Sequence, residues 1–137
     1  MQTATKVLER IQSDHENIKN DEAQRFPEAA TVGDSVRQGD IYITVASAVP
    51  GNAKKSTQPQ LQLAPGTTQG SRHCLDSLDG VTVYELTNPT VLEGPVLQTT
   101  KERTVTHPEH GDWILPPGVY SITYQRAYAE ELRRVAD

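Results

Sequence analysis

The feature that most constrains this chain is a series of short segments in which apolar and polar residues alternate. The clearest are residues 41–46, 81–86 and 119–124, and turn-forming pairs such as Asp79-Gly80 and Pro117-Gly118 stand before two of them. A period of two places successive side chains on opposite faces of a β-strand, and pairs that contain glycine or proline favour tight turns. These segments therefore predict strands that are separated by turns and not by helices.

Shorter segments extend the same pattern. Residues 104–107 and 114–115 predict further strands, and Gly94-Pro95 predicts a turn before residues 96–97. Residues 51–60 have no periodicity and predict an exposed loop. Residues 73–75 lead into Asp79-Gly80, which predicts a hairpin whose returning strand is 81–86. About six to eight strands, about 8–15 residues apart and without interleaved helices, are typical of an antiparallel sandwich or a small barrel. The predicted fold class is all-β.

A helix is predicted at each end of this β-rich body. Within residues 1–20 one stripe recurs at alternating spacings of four and three, formed by Ala4, Leu8, Ile11, His15 and Ile18. A helix this short is not stable alone in water, so we expect it to dock through Leu8, Ile11 and Ile18. Residues 127–135 predict a short C-terminal helix. We therefore divide the chain into an N-terminal helix and connector that serve as a docking arm (residues 1–36) and one β-rich domain (residues 37–137).

The composition excludes several classes of protein. The chain has 137 residues, a formal net charge of −5 and a single cysteine. Its longest apolar runs are a few residues, too short to span a membrane, and one cysteine cannot build a disulfide framework. No apolar stretch follows the first charged residues, so we expect no signal peptide and a cytoplasmic location. Because the acidic balance opposes phosphate, and Lys54-Lys55 and Arg133-Arg134 are only short basic pairs, nucleic acid is not an expected partner.

Histidine provides the richest group of residues for chemistry. His107 and His110 stand three apart around Pro108, and His73 lies on a neighbouring predicted segment. Three imidazoles can form an open site for a divalent zinc or iron ion, so His73, His107 and His110 are the candidate metal ligands. Residues three apart on a regular strand face opposite sides, so His107 and His110 converge only if Pro108 turns the chain. The alternative is a strand that ends at His107, followed by a turn with a solvated His110.

Other candidate chemistries have weaker patterns. Residues 66–72 contain glycines, hydroxyls and an arginine that suit an anion, but they lack the lysine of a phosphate-binding loop. Ser71, His73 and Asp76 are close in sequence without the Gly-x-Ser-x-Gly turn of a nucleophile. Cys74 fits a small buried hydrophobic residue better than a thiolate. No signature of an enzyme follows from these residues.

Several motifs together resemble a group of small bacterial and phage-borne β-rich proteins. The motifs begin at Gln38-Gly39-Asp40 and continue through Leu63-Ala64-Pro65-Gly66, Thr106-His107-Pro108-Glu109-His110, Leu115-Pro116-Pro117-Gly118, Gln125-Arg126 and Arg133-Arg134-Val135. The resemblance implies a shared compact β-rich fold and not a particular reaction. Members of this group often look like Gly-His-x-His where this chain has Gly70-Ser71-Arg72-His73, so one histidine of that pattern is absent here.

These observations favour a non-enzymatic structural or binding module of a larger assembly, with no cofactor. Its arm would pack on protein subunits of that assembly or on a second copy of the chain. A phage capsid-decorating or tail component, located in the virion or the cytoplasm, is the most specific form of this hypothesis. The alternative is a metal-dependent small-molecule enzyme, or a metal-stabilised domain, that uses the three histidines. A nucleic-acid-associated accessory protein is a third hypothesis.

Overall fold

The computed structural model describes residues 23–27, 29–65 and 73–136 of the chain. Within these residues the elements are β1 (Gln24–Arg25), β2 (Ser35–Gln38), β3 (Ile41–Ala46), β4 (Ala53–Lys55), β5 (Cys74–Leu75), β6 (Val81–Leu86), β7 (Glu93–Thr99), β8 (Arg103–Thr106), β9 (Trp113–Leu115), β10 (Gly118–Tyr124) and α1 (Arg126–Ala136). The predicted all-β body and the short C-terminal helix are confirmed. The predicted N-terminal helix, with Leu8, Ile11 and Ile18, lies outside the described residues. No helix in the described part of the chain is long and apolar enough to cross a membrane.

The strands form two sheets that share one hydrophobic core. The smaller sheet has the order β1-β9-β8-β5 and the larger has the order β2-β3-β10-β7-β6-β4. The ladder between β1 and β9 is parallel, whereas the ladders within the larger sheet are antiparallel. One cluster of buried residues combines both sheets, with Leu75, Val105 and Leu115 from the smaller and Ile41, Ile43, Leu97 and Ile122 from the larger. Burial of these side chains is the main favourable contribution to folding.

Strand β10 lies in the interior of the larger sheet, and its residues alternate between the two faces of that sheet. It pairs with β3 on one side and with β7 on the other. Tyr120 and Ile122 are buried in the core, and Ser121 and Thr123 on the opposite face are only half-buried. The two faces predicted from the period of two are therefore confirmed for this strand.

The hairpin predicted around Asp79-Gly80 is wrong. β5 pairs with β8 in the smaller sheet, whereas β6 pairs with β7 in the larger one. The turn at Gly80, which has a φ of 78°, therefore carries the chain from one sheet to the other. A local turn signal does not specify which strands pair, and here Leu75 and Val83 reach the same core from the two different sheets.

Two other local expectations are also wrong. Residues 53–55, predicted to lie in a loop, form the edge strand β4 against β6. Gly94-Pro95, predicted to form a turn, lies inside β7 because the ladder with β10 shifts register there, between Ser121 paired with Val96 and Thr123 paired with Glu93. Such a bulge accommodates a proline, which has no N–H to contribute to the ladder.

Part of the segment assigned to the docking arm belongs to the folded body. β1 lies against β9, and the N–H of Phe26 donates to the carbonyl of Ile114 at 2.9 Å. The Phe26 side chain is only 2% exposed, and its ring centroid lies 5.8 Å from that of Tyr120. The part of the arm that remains a candidate for docking is residues 1–22, outside the described residues.

Candidate functional site

The three histidines named from the sequence lie in contact with one another. His73 directly precedes β5, His107 directly follows β8, and His110 lies on the turn after it. The ring centroids of His73 and His107 are 4.6 Å apart, and those of His107 and His110 are 4.5 Å apart. The turn at Pro108 that convergence requires is present. We call His73, His107 and His110 the histidine cluster.

Gln38, at the end of β2, holds the histidine cluster to the rest of the fold. Its side chain is fully buried, and its Nε2 donates to the carbonyl oxygens of Val105 at 3.0 Å and Gly111 at 2.7 Å. Its Oε1 lies 2.9 Å from His73 Nδ1. Because this oxygen can only accept, His73 carries its proton on Nδ1. One amide therefore connects β2, β8, the segment before β9 and His73.

His107 stabilises the turn that follows β8. Its side chain is 6% exposed, and its Nδ1 accepts the backbone N–H groups of Glu109 and His110, both at 3.0 Å. The backbone N–H of His107 donates to Asp112 Oδ1 at 3.1 Å. An Nδ1 that accepts two hydrogen bonds carries no proton, so the neutral ring carries its proton on Nε2. His107 thus satisfies backbone groups that a turn would otherwise leave unpaired.

His73 is the most constrained ring of the cluster. It is fully buried, and its Nε2 has no hydrogen-bond partner. Burial, followed by the charges of His107 and His110, lowers the pKa of His73 to about 4. At neutral pH His73 is therefore uncharged and presents a buried Nε2 lone pair.

His110 closes the cluster on its exposed side. A Cβ atom at position 39 would lie 2.6 Å from His110 Cδ2, and Gly39 has a φ of 57°. Both the space for the ring and the left-handed backbone therefore favour glycine at this turn between β2 and β3. This accounts for the glycine in the Gln38-Gly39-Asp40 motif.

The cluster offers few nitrogen atoms to a metal ion. Within the described residues, no group of three or more His, Cys, Asp or Glu side chains is arranged to hold one. His107 Nδ1 already accepts two N–H groups, and His73 Nδ1 is bonded to Gln38. His73 Nε2 is the nitrogen that fits best, because metal-bound histidines commonly donate their other N–H to an oxygen, as His73 does to Gln38. The cluster as built holds backbone segments together.

The other residues that the sequence suggested for chemistry either have structural roles or lie outside the residues that the structure describes. Residues 66–72, including Ser71, are outside the described residues. Asp76 Oδ1 accepts the backbone N–H of Thr104 at 3.0 Å. Burial raises the pKa of the half-buried Cys74 thiol, so it is not an activated thiolate.

The tyrosines of β10 and α1 take part in the packing of the body. The hydroxyl of Tyr120 donates to the Pro116 carbonyl at 2.7 Å, and that of Tyr128 donates to the Pro65 carbonyl. Burial, together with the neighbouring Tyr128, raises the pKa of Tyr124 to about 12. These rings are therefore held inside the structure and do not form a platform for nucleotides.

A groove that the sequence did not predict lies between the segment of residues 56–65 and strands β6 and β7. Its volume is about 470 Å³, and its lining includes the apolar residues Leu63, Ala64, Val83 and Pro95. Ser56, Gln58, Gln60 and Gln62 line it from one strand-like segment, and Glu85 and Glu93 line it from β6 and β7. Alternating glutamines in residues 58–62 are the signal in the sequence that can be recognised in retrospect. We call this feature the glutamine groove.

Comparison with known proteins identifies a family. Residues 37–125 match the family described as Domain of unknown function (DUF8820), so the chain belongs to it. The matched segment begins at Arg37, directly after the predicted docking arm. No curated protein and no solved structure gives a significant match.

Proposed function

We propose that this member of the DUF8820 family is a non-enzymatic structural or binding module of a larger protein assembly, and that its N-terminal segment docks on a partner subunit or a second copy. One observation carries the proposal: within the described residues, the closest group of potential catalytic side chains, the histidine cluster, is used to hold the fold. We interpret the two sheets around one core as a β-sandwich. Its specific form, a phage capsid-decorating or tail component in the virion or cytoplasm, rests on the resemblance described above.

The bonding of the histidine cluster supports a structural role. Catalytic acids and bases need a nitrogen that is accessible to substrate and a pKa near the working pH. His73 is fully buried and its pKa is lowered to about 4. His107 Nδ1 is bonded to backbone N–H groups. Neither arrangement supplies an accessible general base.

The start of the described chain supports docking by the preceding residues. The N–H of Gln24 donates to the Asp112 carbonyl at 3.0 Å, so the chain enters the fold at a fixed position on the edge of the smaller sheet. An exposed ion pair of 2.6 Å between Arg25 and Glu102 lies at the same place. Anchoring at residue 24 fixes the point from which residues 1–22 reach a partner, which lowers the entropic cost of docking.

The docking proposal predicts that charges on the apolar stripe disrupt association. In the full chain, Leu8→Asp together with Ile11→Asp should convert the assembled species to a monomer, because a buried unpaired carboxylate is strongly unfavourable. Light scattering coupled to size-exclusion chromatography measures the change in mass. Ser13→Asp with Asn17→Asp adds the same charge on the opposite side of the predicted helix and should leave the mass unchanged. A wild-type chain that is a monomer, with the same unfolding temperature as the stripe variant, would contradict the proposal.

A metal-stabilised domain, or a metal-dependent enzyme, is the second candidate function. It is favoured by one observation, the buried His73 Nε2 without a hydrogen-bond partner. It predicts one divalent ion per chain in native mass spectrometry of protein purified without chelator. The ion should be lost in His73→Asn, in which an amide N–H can still donate to Gln38. The same mass for the chain with and without chelator would remove this candidate.

A further inference from the structure

From the lining of the glutamine groove, we propose that it binds an extended, positively charged polypeptide segment of a partner protein. This inference rests on the proposed function, since it names the chemistry of a partner of the module. Leu63, whose N–H donates to the His73 carbonyl, lies next to the smaller sheet on one side of the groove, and Val83 lies in β6 of the larger sheet on the other. Its volume of about 470 Å³ is within the range of sites that enclose a small ligand or a short peptide.

One wall of the groove offers polar side chains to an extended chain. Ser56, Gln58, Gln60 and Gln62 are alternate residues of one segment, and all four line the groove. The first of them is fixed by the bond from the Ser56 N–H to the Val83 carbonyl at 2.8 Å. Equivalent groups of an extended peptide repeat every two residues, so an extended chain can present successive backbone groups to these side chains. Gln62 Nε2 donates to the Ala64 carbonyl at 2.6 Å, whereas Gln58 and Gln60 are exposed. Glutamine amides both donate and accept, so Gln58 and Gln60 suit peptide N–H and C=O groups.

The acidic residues of the other wall determine which charge the partner segment must carry. Glu85 and Glu93 are exposed carboxylates that line the groove, and within the described residues its lining includes no lysine or arginine. One oxygen of Glu93 accepts the Thr90 N–H at 2.9 Å, which orients that carboxylate. Lys54 lies opposite Glu85 in the β4–β6 ladder but does not line the groove. A segment with lysine or arginine is therefore complementary to this wall, and an acidic segment is repelled.

The apolar floor adds a second requirement on the partner. Leu63 and Val83 are buried at its base, and Pro95 is half-buried beside them. An extended chain directs alternate side chains to opposite sides, so one side can contact the floor while the other meets the rim. The fitting partner thus alternates small apolar residues with basic ones.

The proposal is tested with full-length protein and a synthetic hexapeptide, acetyl-Val-Lys-Val-Lys-Val-Lys-amide. Titration followed by NMR should shift the resonances of the glutamine groove, and the analogue with glutamate in place of lysine should not. Glu85→Gln with Glu93→Gln should weaken binding about fivefold, as expected for two exposed ion pairs. Glu130→Gln with Glu131→Gln, which changes the same charge on α1, should leave the affinity unchanged.

Three results of the peptide titrations would overturn the proposal. They are no binding of the lysine peptide, equal binding of the glutamate peptide, or equal weakening by the two pairs of substitutions. Shifts of groove resonances in Leu8→Asp with Ile11→Asp, without peptide, would also overturn it, because the chain's own N-terminal segment would then occupy the groove. The docking proposal is judged separately by the mass of that variant, so the inference can fail while the proposed function stands.

Discussion

Replacing Gln38 with alanine is expected to destabilise the protein by about 4 kcal/mol, because three buried polar groups would lose their partner at once. These are the carbonyls of Val105 and Gly111, which accept from Nε2, and His73 Nδ1, which donates to Oε1. An unsatisfied buried group costs about 1–3 kcal/mol, and entry of water into the space left by the side chain offsets part of the sum. Urea unfolding followed by circular dichroism measures the free energy of unfolding.

Gln98→Ala is the matched control for Gln38→Ala. Gln98 lies on β7, is exposed and accepts one bond, from the Tyr84 hydroxyl at 3.1 Å. Its loss should change the free energy of unfolding by about 0.5 kcal/mol, as for most surface substitutions. If the two variants were equally stable, Gln38 would not be the group that holds the histidine cluster to the fold.

The free energy of unfolding is expected to fall by about 3 kcal/mol as the pH falls from 6.5 to about 4, because of the protonation of His73 alone. The pKa of His73 is lowered to about 4 in the folded state, first by burial and then by the charges of His107 and His110. The unfolded chain binds the proton at the ordinary pKa of 6.5, so between these values it holds more protons than the folded chain. The stabilisation is complete above pH 6.5 and is lost as the pH falls.

His73→Asn isolates the contribution of this histidine. An asparagine amide can still donate to Gln38 Oε1 but does not titrate in this range, so the variant should lose less stability than the wild type from pH 6.5 to 4. Asp79 and Glu102 also have lowered pKa values, through Lys101 and Arg25 respectively, and they act equally in both proteins. Unfolding should be measured by urea titration at each pH in a chelating buffer. If the free energy of unfolding fell equally with pH in both proteins, the assignment of this loss to His73 would be contradicted.

Local sequence patterns predicted the elements better than their pairing. The period of two identified β3, β6 and β10, because alternation depends only on neighbours along the chain. The turn signal at Asp79-Gly80 was real, but the hairpin inferred from it was wrong, since the strands on either side join different sheets. Likewise Gly94-Pro95 lies inside β7, because a bulge of β7 against β10 accommodates the proline.

The candidate sites divide in the same way. The three candidate histidines could be predicted because residue types are visible in the sequence. The requirement that Pro108 turn the chain between His107 and His110 could be predicted because it depends on a few adjacent residues. Gln38 could not be predicted, because glutamine is mostly exposed and its three partners are distant in sequence. The glutamine groove could not be predicted either, since its walls come from residues 56–65 and from strands β6 and β7.

The sequence by itself determined an all-β body with a C-terminal helix, and it determined which residue types are available for chemistry. The tertiary structure alone decided what those residues do. His73 and His107 are 34 positions apart in the chain, yet their rings touch because β5 pairs with β8. Strand pairing at such separations follows from burial of a common core, which depends on all the strands together and not on any local pattern.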